Sequence, residues 1–359
     1  MYGREEKEAG LSSVNKLNNI QALRGVAVLV VVFSHLLVIE KKFGGANTLL
    51  PEWMQFGIFG VDLFFVISGF VMVTVTRGKF QSLRNALLFL YHRVSRIYPL
   101  YWVYTTLALI VFLVQPSWVN SSQGNQVDIL ASYLLLPDEL LPLVQVGWTL
   151  VHEMYFYLVF FVILLLVPEK FMPVSMLVWG AAIIVFGRSA GNPTYNLVFH
   201  PLTLEFLAGC LLAWHYHNFA SIKVYAYWLV GIASLGMLVA IIGFISFVAQ
   251  TGSAPDGWWR LAIYGIPAVV IVASITHAER NGITLSNFLI QSGNASYSIY
   301  LSHLFTINVV GRLWKFFSTD AIYDNLIVVP VIFLLVLIIG FLSYRLVEIP
   351  LLSFSRKIA

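Results

Sequence analysis

The chain has 359 residues, 59% of them hydrophobic and only 11% charged, with a formal charge of +4. Soluble domains carry about a quarter charged residues, and a soluble fold could not hide this much apolar surface. A mean hydropathy of +0.83 makes it a membrane protein, and basic residues scattered between apolar runs argue against a nucleic-acid partner.

Residues 1–19 are polar and carry Glu5, Glu6 and Glu8, a poor start for a signal peptide, and no small-residue cleavage site follows the first apolar run. They are predicted to be a cytoplasmic N-terminal segment. Apolar runs then predict helices over 20–39, 56–76, 97–115, 147–167, 172–187, 197–216, 225–248, 259–277, 295–314 and 324–346. The fold expected is an all-α, polytopic transmembrane helical bundle of about ten helices. It forms one domain over 20–350, and 351–359 are a cytoplasmic tail. The single cysteine, Cys210, rules out an intramolecular disulfide and makes a cysteine metal cluster implausible.

Orientation follows from Lys and Arg, which concentrate on the cytoplasmic side. With the N-terminus inside, the inner segments hold 15 of them and the outer segments 6: Lys41, Lys42, Arg188, Arg260, Arg312 and Lys315. The longest loop, about 116–146, has no Lys or Arg but has Asp128, Asp138 and Glu139. Both termini are therefore predicted to be cytoplasmic, which an even number of spans requires.

Ionisable groups inside spans are costly and mark functional candidates. Arg24 and His35 are eleven residues apart, which puts them on one helix face about 16 Å from each other. Such a stripe sets a fixed cation at one surface and a titratable base towards the other, or else an anchoring arginine beside a bonded core histidine. Asp62 opens the second span at roughly the depth of His35. It could orient an imidazole as a carboxylate does in a catalytic dyad, or cap the helix start. Gly60, Ser68 and Gly69 nearby read as close-packing positions. Glu153, in the fourth span, is expected in the same layer as His35 and Asp62. Trp148, Tyr155 and Tyr157 beside it could stack on a sugar or belong to an aromatic belt. Glu205 and His303 lie deeper, as supporting groups or as bonded packing residues.

Arg93 and Arg96 are neighbours on one helix face before the third span. With Arg24 they make a site suited to phosphate, unless they are ordinary cytoplasmic anchors. His215 and His217 have a metal-like spacing but no evident third ligand, and no zinc signature or glycine-rich phosphate loop is present. No metal and no permanently bound cofactor are expected. A histidine can deprotonate a hydroxyl as it attacks a carbonyl, or be acylated briefly itself, and CoA phosphates would explain the arginines.

Four segments resemble the acyltransferase 3 family of bacterial membrane proteins: Ala22-Leu-Arg24-Gly25 followed by His35, Gly60-Val-Asp62-Leu-Phe-Phe-Val-Ile-Ser-Gly69-Phe70, Arg93-Val-Ser-Arg96-Ile-Tyr-Pro99, and Trp148-Thr-Leu-Val-His-Glu153. The late Ser296-Tyr297-Ser298-Ile-Tyr300-Leu-Ser-His303 is similar to that family's penultimate region. The resemblance covers residue 20 to about 350. It implies an enzyme of the bacterial cytoplasmic (inner) membrane, acetyl-CoA or another short acyl-CoA as co-substrate, and as acceptor a cell-surface glycan such as exopolysaccharide or O-antigen, or a lipid-linked sugar. It further implies His35, Asp62 and Glu153 as catalytic, Arg24, Arg93 and Arg96 as donor-binding, and Trp148, Tyr155, Glu205 and His303 on the acceptor or supporting side. Where much of the family has two successive glutamates, this chain has Glu153-Met154, a form closer to the branch that acts on exopolysaccharides. The rival expectations are a transporter or flippase of a glycan-related substrate, and an acyltransferase acting on a lipid or on peptidoglycan.

Overall fold

The computed structural model describes residues 17–45, 48–187, 191–219, 225–319 and 322–358. Most of the predicted N-terminal segment is outside them, as are Glu5, Glu6, Glu8, Arg4, Lys7, Lys16, Arg188 and Lys223. Among the described residues there is no β-strand, as lipid demands of an open chain: only helices satisfy their own backbone groups there.

The principal helices are α1 (Asn18–Phe43), α2 (Phe59–Thr76), α3 (Leu83–Val114), α4 (Trp148–Leu166), α5 (Met172–Phe186), α6 (Thr203–Asn218), α7 (Ala226–Thr251), α8 (Ile266–Arg280), α9 (Asn287–Asn294), α10 (Ser296–Phe317), α11 (Ile322–Ser343) and α12 (Ile349–Ile358). Each of the ten predicted spans falls on a long helix. Among the described residues, nine helices are long and apolar enough to cross a membrane. The ninth predicted span, α10, is the one not among them: it has 22 residues but spends several of them on Ser, His303, Arg312 and Lys315. The chain is a multi-pass membrane protein.

Three differences from the sequence reading bear on function. Helix α3 starts at Leu83, not 97, where the Ser82 side chain accepts a hydrogen bond from the Asn85 amide. Arg93 and Arg96 thus share one continuous helix with the third span rather than preceding it. Wide, π-type turns at Leu261–Gly265 and Tyr344–Glu348 follow Arg260 and carry Glu348, and such turns often mark functional positions. The predicted tail at 351–359 is helical through Ile358, and Tyr91 of α3 donates to the Ser355 carbonyl there.

The helix ends predicted to share a face are found together. The Asn19 side chain donates to the Ile275 and Ile283 carbonyls at the end of α8. Arg280 donates to the Tyr216 carbonyl, and Thr74 bonds His217. At the opposite end of α1, Glu40 accepts from the Leu49 and Leu50 amides and from Asn325 at the start of α11.

Helices α2 and α6 cross closely because each presents a glycine to the other. A Cβ on Gly69 would lie 1.9 Å from the Phe206 oxygen, and one on Gly209 would lie 2.0 Å from the Val66 oxygen. Gly60 has the same close approach to the Ala27 oxygen of α1, as expected of small residues at membrane helix contacts. Because backbone cannot yield as a side chain does, Gly209→Val should cost about 1–3 kcal/mol or more. A lowered melting temperature in detergent is the expected readout, and an unchanged one contradicts the contact.

Candidate active site

The three arginines singled out in the sequence converge on one cavity of about 800 Å³ between α1, α2, α3, α4 and α10. Arg24 comes from the first turns of α1, and Arg93 and Arg96 from successive turns of α3. Opposite them stand Ser68 of α2, Glu153 and Tyr157 of α4, and Tyr297 and Tyr300 of α10. Glu153 accepts hydrogen bonds from Ser68 (3.1 Å) and from Tyr157.

The cavity has cationic capacity to spare. Glu153 and Glu348 are the electrostatic counterparts of Arg24, with Arg96 opposing them. Among the described residues the ion pairs are Lys41–Glu52 and Arg260–Asp62, and none uses these three arginines. The buried Nε of Arg93 has no hydrogen-bond partner. Buried donors are nearly always paired, so an orphan lining a cavity signals a ligand acceptor. Guanidinium forks match the oxygens of phosphate, so the cavity suits a phosphate-bearing ligand.

His35 does not line this cavity; it is paired with His303. Their ring centroids are 4.9 Å apart, edge to face. His35 Nδ1 is 2.9 Å from the Val31 carbonyl oxygen, and His303 Nδ1 is 2.6 Å from that of Tyr300. A carbonyl oxygen only accepts, so each Nδ1 carries the proton and each Nε2 keeps a lone pair. The Nε2 of His303 is buried without a partner. Tyr300 joins the two regions: its ring is 5.8 Å from that of His303, it lines the arginine cavity, and its hydroxyl reaches Thr149 (2.9 Å) and the Val146 carbonyl (3.2 Å) on the approach to α4.

The expected pairing of Asp62 with the His35 imidazole is not formed. Asp62 is fully buried and accepts from Arg260 through both oxygens, at 2.9 Å from Nε and 2.9 Å from Nη2. A buried carboxylate needs a full counter-charge, which a neutral imidazole cannot supply. Glu205 adjoins this pair, electrostatically close to Asp62 and Arg260. Glu153 has turned into the arginine cavity instead. Arg260→Ala should destabilise the fold by about 3–5 kcal/mol, because it leaves the Asp62 charge buried and unpaired. Arg260→Gln with Asp62→Asn should recover part of the loss; equal melting of the single and double variants would contradict the pairing.

The aromatic residues divide. Trp148 lines a second cleft, of about 900 Å³, with His152, His200 and the loop residues Asp138 and Glu139. Arg260 lies over its ring at 5.7 Å. Tyr155 donates to the Val198 carbonyl and packs on Trp179, so it lines neither cavity. Tyr157 and Ser68, read from sequence as wall and packing residues, are the hydroxyl partners of Glu153. His217 bonds Thr74, and no group of three or more His, Cys, Asp or Glu that could hold a metal occurs among the described residues. Sequence reading missed Glu348, which accepts from Ser298 at 2.5 Å, because its predicted last span stopped at 346. It also treated Arg260 only as a loop charge.

Comparison with known proteins identifies the family. The acyltransferase 3 family, described as an acyltransferase domain, matches residues 17–345. The chain belongs to the acyltransferase 3 family. It is 29% identical over 325 residues to the exopolysaccharide production protein ExoZ of Rhizobium meliloti (strain 1021), covering 84% of this chain and 91% of that one. It is 27% identical over 336 residues to the acyltransferase MdmB of Streptomyces mycarofaciens, covering 84% and 81%. It is also 26% identical to the "Putative O-acetyltransferase SACOL0978" of Staphylococcus aureus (strain COL), over 96% of this chain but 59% of that longer protein. No solved structure gives a significant match. The protein is an acyltransferase enzyme.

Proposed function

We propose that the protein is an O-acetyltransferase that takes a short acyl group from cytoplasmic acyl-CoA and delivers it to a hydroxyl of an extracytoplasmic glycan such as exopolysaccharide or O-antigen. The observation that carries this reading is the arginine cavity, with its orphaned Arg93 Nε, and Tyr300 in its wall, whose ring adjoins His303 of the histidine pair and its unpartnered Nε2. The arginines would hold the donor's phosphates, and Glu153 would bind Ser68 and Tyr157 so that the cavity wall stays polar. In the transfer, the acceptor oxygen attacks the thioester carbonyl as its proton passes to His35 Nε2. The carbon–sulfur bond breaks and CoA leaves as a thiolate that takes up a proton.

The glycan acceptor is supported by the relative named for exopolysaccharide production and by the Trp148 cleft, where an aromatic face meets acids and imidazoles. The inward placement of both termini, residues 1–19 and 351–359, and of the arginine cavity rests on the Lys and Arg asymmetry; residence in the bacterial inner membrane is supported by the apolar helices and the bacterial relatives. The test is acetyl-CoA binding and turnover by the protein purified in detergent. Micromolar-to-millimolar binding with slow CoA release is expected; wild-type protein that neither binds nor cleaves any short acyl-CoA would overturn the reading and bring transport forward.

A further inference from the structure

The arginine cavity changes character along its length, and the change falls at matching places on three helices. Between Val61 and Val73 of α2 every residue is buried except Phe64, Ser68 and Val71, which are half-buried and line the cavity. Their spacing of four and three puts them on one helix face. Ser68 donates to Glu153, so this layer is polar. One turn back along α2, about 6 Å away, the same face carries Phe64 instead. Helix α4 makes the same exchange, from Glu153 back to Thr149 and Leu150. Helix α10 makes it from Ser296, whose buried hydroxyl has no hydrogen-bond partner, on to Tyr300.

The two ends of the cavity face different chemistry. Arg93 lies against Tyr157, one turn of α4 beyond Glu153 and away from Thr149. At the other end the Phe64 ring meets that of Tyr300, with 6.1 Å between centroids and 67° between planes, and Tyr300 adjoins His303. The phosphates and the thioester of an acyl-CoA stand at opposite ends of its pantetheine arm. Phosphates held by the arginines therefore direct the acyl group toward Phe64 and Tyr300.

A wall selects by size when it cannot give way, since forcing extra methylenes into a well-packed site is costly. Tyr300 is tethered through its hydroxyl to Thr149 and the Val146 carbonyl. Phe64 rides on a helix locked on two sides: a Cβ on Gly60 would strike the Ala27 oxygen, and one on Gly69 the Phe206 oxygen. We infer that Phe64, braced by Tyr300, sets the length of the acyl group that the enzyme transfers. An acetyl group fits ahead of the ring, whereas a chain of four or more carbons meets it. The inference rests on the acyltransferase reading and adds to it the residue that decides among acyl donors.

The test compares acetyl-, butyryl- and hexanoyl-CoA as donors for the full chain in detergent. It reads kcat/KM from CoA release, with binding of free CoA on the same samples. Wild type should favour acetyl over butyryl by about tenfold or more, the usual worth of excess methylenes at a packed wall. Phe64→Ala should bring the two within about threefold, and Phe64→Leu, the milder change, should fall between. Phe64→Trp should slow even acetyl transfer, and all three variants should bind free CoA as wild type does. A ring that only supports the fold would lower every donor alike and leave their ratio unchanged. That result, or a wild type that uses butyryl-CoA as well as acetyl-CoA, would overturn the inference. Release of CoA from none of the three by wild type would instead sink the acyltransferase reading on which it stands.

Discussion

His35→Ala is expected to lower acyl transfer by about 10²- to 10⁴-fold, the usual contribution of a positioned general base, while donor binding stays within about twofold. The expectation follows from placement. His35 is half-buried on α1, outside the lining of the arginine cavity, and its Nδ1 proton is committed to the Val31 carbonyl. Removing the ring therefore removes the lone pair without touching the groups that would hold CoA. His303→Ala should reduce transfer less, because its ring acts as a wall that fixes the orientation of His35. Isothermal titration with acetyl-CoA, alongside CoA release with and without acceptor membranes, reads both quantities. Loss of donor binding in His35→Ala equal to the loss of turnover would contradict this division of labour.

The second large effect is expected in the arginines. Arg93→Ala or Arg96→Ala should weaken acetyl-CoA binding by about ten- to a hundredfold, since a hydrogen bond to a charged group is worth ~1.5–3 kcal/mol. The lysine variants should recover only part of this, because an ammonium keeps the charge but not the two-pronged geometry. The losses should not add, as the three guanidiniums share one cavity. Dephosphorylated analogues of the donor should bind wild type more weakly and be less sensitive to these substitutions. Arginine variants that bind acetyl-CoA like wild type would mean that the cavity holds something else.

The fold was legible because hydrophobic runs of spanning length are set by the bilayer, and every predicted run met a helix. Its most displaced boundary was at α3, where Arg84, Arg93 and Arg96 lower the hydropathy of a stretch that is helical from Leu83. Clustering of Arg24, Arg93 and Arg96 could be read from depth and charge. The partner of each buried acid could not. Asp62 meets Arg260 across 198 positions of sequence, and Glu153 turns toward Ser68 and Tyr157. Depth assigns a residue to a layer, but the helix's rotation and its neighbours decide which group in that layer it meets. The pairing of His35 with His303 is of the same kind: both were visible as intramembrane histidines, and only the packing of α1 on α10 makes them one unit.

The most direct test of a donor on one side and an acceptor on the other uses sealed, inverted inner-membrane vesicles containing the protein, supplied externally with acetyl-CoA labelled in the acetyl group. The account predicts that alkali-labile acetyl ester accumulates inside the vesicles while free CoA appears outside, and that His35→Ala stops the first. Label esterified only on the outer face, or transfer that requires acetyl-CoA inside the vesicle, would contradict it.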